Sequence, residues 1–185
     1  MPPNSTTLKR PLVLVGMMGA GKTAIGGAVA RSLGIPFLDS DEELVRAADR
    51  SIAEIFERDG EAFFRARETE IISRLLDGEP AVISTGGGAF LSEPNRAMIN
   101  DKATSVWLKA DLSLLWSRVR HKTTRPLLRT DDPLATLTEI FEARTPIYAQ
   151  AQLSVEARPE YSIEDMAQNV IATLSEADLL KEADT

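Results

Sequence analysis

The sequence predicts an α/β protein: one domain built on a parallel sheet with helices on both faces. Two observations carry this. Short apolar runs of strand length recur between longer segments whose apolar residues repeat at helical spacing. The first of those runs passes through a glycine-rich loop directly into a helix, the strand–loop–helix order of parallel α/β units. Such an alternation implies right-handed crossovers and places ligands beyond the carboxyl ends of the strands.

The first strand is Leu12-Val13-Leu14-Val15, short and apolar enough to be buried on both faces. It leads into Gly16-Met17-Met18-Gly19-Ala20-Gly21-Lys22-Thr23, the GxxxxGK[ST] phosphate-loop pattern. Ile25, Val29 and Leu33 follow at i, i+4 and i+8, the stripe of a helix lying on a sheet. The residue types suit a polyphosphate. Gly16, Gly19 and Gly21 let backbone N–H groups and a helix N-terminus close around several negative charges. Lys22 is placed to bridge the β- and γ-phosphates, and the Thr23 hydroxyl to ligate Mg²⁺.

A second strand over 35–38 has Pro36 near its start and ends in Asp39-Ser40-Asp41. Residues 42–76 are helical in pattern with a break near Asp59-Gly60; before the break Ser51 with Glu54 opens a helix as a capping box, and a further part runs from Glu61. Phe64, Ile71 and Leu75 form its apolar face, while Glu61 and Arg65 stand at i, i+4. A third strand over 81–84 runs into Thr85-Gly86-Gly87-Gly88. Next come a helix over 92–100, capped by Ser92 with Pro94 in its first turn, and a fourth strand over 104–108. Asp111 caps a helix with Leu112, Leu115, Trp116 and Val119 on one face. The stretch 118–130 is basic and aperiodic, and the single histidine, His121, reads there as a solvated neighbour. Residues 134–148 are helical in pattern and 153–155 give a short last strand. Ser162 caps a final helix expected to bury Ile163, Met166, Val170 and Leu174. Residues 1–10 read as a disordered leader, 11–176 as the domain and 177–185 as a frayed acidic tail.

Composition narrows the function. With 28 acidic against 21 basic residues the chain is a poor generic nucleic-acid binder, though local groups can still hold a phosphorylated ligand. Without cysteine there is no disulfide or thiolate metal site, which fits a cytoplasmic setting. No apolar stretch is long enough to span a membrane.

Asp39 and Asp41 stand two residues apart, hence on one side of an extended backbone; the alternative is a helix N-terminus that Asp41 caps. The strand over 81–84 carries no acid, so the outer shell of a metal and any activation of a hydroxyl fall to Asp39 and Asp41. Gly86-Gly87-Gly88 offers N–H donors and close backbone approach to a ligand. Arg65, Arg67, Arg118, Arg125, Arg129 and Arg144 are the candidates for bidentate recognition of carboxylate or phosphate. Arg125 precedes Pro126, and Arg144 lies where Pro146 should end or bend a helix.

Taken together, GMMGAGKT, the DSD at 39–41, FFR ending at Arg65, STGGGA from Ser84, TRPLL from Thr124 and RTPIY from Arg144 resemble the shikimate kinase family. The resemblance covers roughly 12–174. It implies a three-layer P-loop kinase fold with a five-stranded sheet in the order 2-3-1-4-5, a substrate-binding subdomain at 42–68 and a mobile lid at 119–131. It implies ATP-dependent phosphorylation of the shikimate 3-hydroxyl by a cytoplasmic monomer with Mg²⁺. Gly19, Ala20, Gly21, Lys22, Thr23 and Ala24 would bind ATP, with Thr23 on the metal and Asp39 toward it through water. Asp41 would bind and deprotonate the acceptor hydroxyl. Arg65, Arg144 and the Gly87 backbone would hold the acid, and Arg125 would reach ATP from the lid. Lys22, Asp41 and Arg125 are thus the catalytic set. The segment 149–160 departs from the family pattern by one residue, leaving the adenine contact without a counterpart, with Arg158 the nearest candidate. The alternatives are a gluconate kinase-like enzyme acting on another small acidic polyol, and a regulatory nucleotide switch. Against the switch stands the absence of an Asn-Lys-x-Asp guanine motif.

Overall fold

Leu12, Val13, Leu14 and Val15 are all at 0% exposure, as a strand between two helical layers requires. The computed structural model describes residues 6–121 and 128–183. In chain order its strands are β1 (Thr6–Leu8), β2 (Leu12–Val15), β3 (Phe37–Asp39), β4 (Val82–Ser84), β5 (Thr104–Lys109), β6 (Leu153–Glu156) and β7 (Leu180–Glu182). The helices are α1 (Lys22–Leu33), α2 (Ser40–Ala48), α3 (Ile52–Leu76), α4 (Glu93–Lys102), α5 (Leu112–Val119), α6 (Pro133–Tyr148) and α7 (Ile163–Glu176), with a 3-10 turn at Ala89–Leu91.

The main sheet runs β3-β4-β2-β5-β6, every pairing parallel. Numbered among themselves these five strands follow the expected order 2-3-1-4-5. Leu12 pairs with Val82 on one side and Thr104 on the other, so β2 sits at the centre and its loop emerges mid-sheet. α1 packs on α7, α3 on α4 and α5 on α6. Leu14, Ile83, Phe90, Leu108 and Leu115, each at most 1% exposed, anchor the core between sheet and helices.

Three local features position the site. Gly60 breaks α3 with φ 86° and ψ 170°, a backbone state essentially reserved for glycine, and the break falls where the sequence places it. Helix α6 runs on past Pro146 to Tyr148, the end that the 134–148 pattern gives it. The proline removes one helical bond, to the carbonyl of Glu142, but Glu142 is exposed and water can satisfy that oxygen. Ser162 and Asp165 complete a reciprocal capping box at the start of α7.

Two expectations are corrected. The terminal stretches read as loose pair with each other: β1 and β7 form an antiparallel ribbon, with Leu8 buried at 1% and Lys9 bonded to Asp178 at 2.9 Å. Two three-residue strands joined across the whole chain leave no periodicity to read. Ile163 is 48% exposed, because the first helical residue after the cap faces out while Met166, Val170 and Leu174 face in. Arg125 and much of the expected lid lie outside the described residues.

Candidate active site

The loop between β2 and α1 takes positive φ at Gly16, Gly19 and Gly21. Gly21, at φ 92° and ψ 21°, caps α1 without a side chain, leaving first-turn N–H groups for a ligand. Lys22 donates to the Gly16 carbonyl. Arg118, at the end of α5, donates to the Gly19 carbonyl at 3.0 Å. Gly19, Gly21, Lys22, Thr23 and Ala24 all line a cleft of about 810 Å³. Ala20 does not: it is fully buried and its N–H bonds the Met17 carbonyl at 3.1 Å.

The far end of the cleft belongs to the triple glycine. A Cβ on Gly86 would sit 2.8 Å from both carboxylate oxygens of Asp41. One on Gly87 would sit 3.2 Å from Arg144 Nη1, and one on Gly88 only 2.7 Å from Arg65 Nη2. Each glycine thus seats one charged side chain against bare backbone. This is the close approach the three glycines serve, and it unites the acid and the two arginines singled out in sequence. The Gly86 N–H also reaches the buried Ser40 hydroxyl at 3.4 Å, tying the loop to the first turn of α2.

The Asp39/Asp41 pair is arranged differently from an extended strand. Helix α2 begins at Ser40, and the cap is Asp39, not Asp41: its Oδ1 accepts from the Asp41 and Glu42 N–H groups at 2.9 and 3.2 Å. Helical winding then carries Asp41 toward Gly86 while Asp39 keeps one oxygen uncommitted to the cap. Both still line the cleft.

Asp41 has its pKa raised from 3.8 to about 6. Burial is the main cause, followed by the negative charges of Asp39 and Glu68, with Lys22 and Arg65 opposing. Glu68 is a residue the sequence reading missed. It is 2% exposed and accepts from Arg65 at 2.9 Å, much closer than Glu61, which lies 3.8 Å from the same guanidinium. Burial raises the pKa of Glu68, and its bond to Arg65 and the charge of Arg65 pull it back. An acid three residues from an arginine on a helix ordinarily reads as a surface pair; only the packing of α3 beyond its break reveals it as the group that orients Arg65.

Tyr161, Ser162, Ile163 and Met166 also line the cleft, which sequence reasoning did not anticipate. Arg158 does not; its guanidinium lies 5.9 Å from the Tyr161 ring centre. Arg67 pairs with Glu70 at 2.7 Å, and His121 is exposed beside Arg120, so both stay outside the site. Among the described residues no cluster of three or more His, Cys, Asp or Glu could hold a metal by itself. No described helix is long and apolar enough to cross a membrane.

Comparison with known proteins follows the same line. The shikimate kinase family model matches residues 18–175. Shikimate kinase of Ruegeria pomeroyi is 62% identical over 171 residues, covering 92% of this chain and 88% of that protein. That of Cereibacter sphaeroides is 61% identical over 168 residues, 91% of this chain and 84% of the relative. Among solved structures, shikimate kinase from Acinetobacter baumannii in complex with shikimate superposes with a TM-score of 0.84 at 35% identity, covering 92% of this chain and 95% of that one. A gluconokinase from Sinorhizobium meliloti gives a TM-score of 0.62 at 18% identity over 92% of this chain and 94% of that one, a likeness of fold alone.

Proposed function

The chain belongs to the shikimate kinase family, and from that premise we propose how its residues share the transfer of the γ-phosphoryl group of ATP to the 3-hydroxyl of shikimate. The protein is an ATP-dependent phosphotransferase with an alcohol acceptor, and shikimate is favoured over gluconate. The observation that carries the division of labour is the seating of Asp41, Arg144 and Arg65 on Gly86, Gly87 and Gly88, at one end of the cleft that begins at the phosphate loop.

The ATP phosphates lie along Gly19 to Ala24, in the positive field of the α1 N-terminus and Lys22. Ala20 contributes loop shape rather than a contact. The adenine packs near Arg118, Tyr161 and Ile163, where the cleft offers a guanidinium, a ring and an exposed aliphatic side chain. Arg65, oriented by Glu68, and Arg144 bind the shikimate carboxylate, with Gly87 offering backbone contact. That leaves the acceptor hydroxyl beside Asp41. Its oxygen attacks the γ-phosphorus, the bond to the β–γ bridging oxygen breaks to release ADP, and Asp41 takes the hydroxyl proton. A carboxylate with pKa about 6 is ionised at neutral pH and more basic than an ordinary aspartate, which suits a general base.

The oxygen donors present fit Mg²⁺. Thr23 would offer a hydroxyl and Asp39 the oxygen not used in capping, the remainder of the ion's shell being left to waters and ATP phosphates. When bound, the ion would neutralise charge on the β- and γ-phosphates.

Arg65→Ala and Arg144→Ala test the acid site. A charged hydrogen bond is worth about 1.5–3 kcal/mol, so each variant should bind shikimate roughly tenfold or more weakly, with ATP affinity barely changed. Calorimetry showing ATP binding lost and shikimate binding kept would reverse the two ends of the cleft.

A further inference from the structure

Tyr148 closes helix α6 one turn beyond Arg144, at the i+4 position, so the two side chains share a helix face. Its ring is 1% exposed, and its hydroxyl donates to the Gly87 carbonyl at 2.7 Å. Gly87 is the glycine against which Arg144 lies. Tyr148 therefore sits behind the acid-binding end of the cleft without lining it. Pro146 removes one hydrogen bond from the last turn of α6, and the Tyr148 hydroxyl ties that turn to the glycine loop.

We propose that Tyr148 is a positioning residue for substrate binding: its hydroxyl pins the Gly87 carbonyl to α6 and so fixes the depth at which Arg144 meets the acid. The inference rests on the assignment of Arg144 to the shikimate carboxylate. Pinning matters because a bidentate guanidinium–carboxylate contact tolerates little displacement. Burial raises the Tyr148 pKa, opposed by the charge and hydrogen bonding of Arg144, and the phenol keeps its proton as a donor across the working range.

Tyr148→Phe preserves the ring and deletes only the hydroxyl, so the fold should survive. Shikimate KM should rise about tenfold, while ATP KM stays within about twofold and kcat falls by less than about threefold. A purely structural role would lower Tm and the active fraction without separating the two KM values. The double variant supplies a sharper readout. In an Arg144→Ala background, Tyr148→Phe should add less than about twofold to shikimate KM, since the guanidinium it positions is gone. Unchanged shikimate KM in Tyr148→Phe would overturn the inference. So would an equal rise in both KM values, or a full tenfold effect persisting without Arg144. Failure of the wild-type protein to use shikimate would instead overturn the family reading beneath it, which the same assay records separately.

Discussion

Lys22→Met loses at least about a hundredfold in turnover and keeps its fold. The loss is that of a charge aimed at phosphates whose negative charge shifts during transfer, an interaction worth about 10²–10³ in rate when one such donor is removed. The fold survives for a specific reason. Lys22 is the first residue of α1, whose first turn holds no acid, and a cation there opposes the helix dipole. Methionine has similar length and helix propensity and removes that repulsion. The variant also gives up the Lys22 bond to the Gly16 carbonyl, so gain and loss offset and thermal unfolding should show a Tm close to wild type, alongside the collapse in kcat. Near-normal turnover in a folded Lys22→Met protein would remove Lys22 from the phosphate site.

Asp41→Asn lowers the rate by about 10²–10⁴, the range for losing a general base. Its pH dependence distinguishes a base from a hydrogen-bonding spectator. With a pKa of about 6 in the free protein, kcat/KM for shikimate should fall as pH drops below about 6, and the variant should lack that limb. Stability moves the other way. The folded-state pKa lies above the ordinary 3.8, so the native state holds this proton more tightly than the unfolded chain. The stability Asp41 contributes is full below about pH 4 and is lost as pH rises through 6. Asparagine is neutral throughout, so the variant's Tm should pull ahead of wild type as pH rises from 4 to 8. A slower but more stable protein is the signature of a carboxylate buried for chemistry. Wild-type activity with an unchanged pH profile would exclude Asp41 as the base.

What the sequence made legible, and what it hid, follows from the range of each interaction. The strand–loop–helix at 12–33 was readable because its signals are local: an apolar run, glycines at fixed spacing and a 3.6-residue stripe. The break at Gly60 and the Ser51, Ser92 and Ser162 caps were readable for the same reason. Strand order rested on family resemblance, since nothing local specifies which strand neighbours which. Glu68 escaped notice because its burial comes from the fold around α3 and its partner is three residues away, as on any solvated helix. Asp39 and Asp41 read as carboxylates on one side of an extended backbone, whereas Asp39 caps a helix and Asp41 is wound against Gly86, with both lining the cleft. The β1–β7 ribbon, joining residues 6–8 to 180–182, lies beyond any window of periodicity. Tyr148 stood only as the end of the helical pattern at 134–148 and of the RTPIY stretch; its hydroxyl gains meaning through a partner 61 residues away in sequence.

The most direct test of the whole account is acceptor choice by the wild-type protein. ADP release from ATP with Mg²⁺ would be followed by a coupled assay over shikimate, gluconate and other small hydroxy acids, with phosphorylated product quantified in parallel. Arg65, Arg144 and Asp41, seated together at one end of the cleft, predict ADP release that depends on shikimate and matches shikimate 3-phosphate one to one. Faster turnover of gluconate, or ADP release at the same rate with no acceptor, would contradict it.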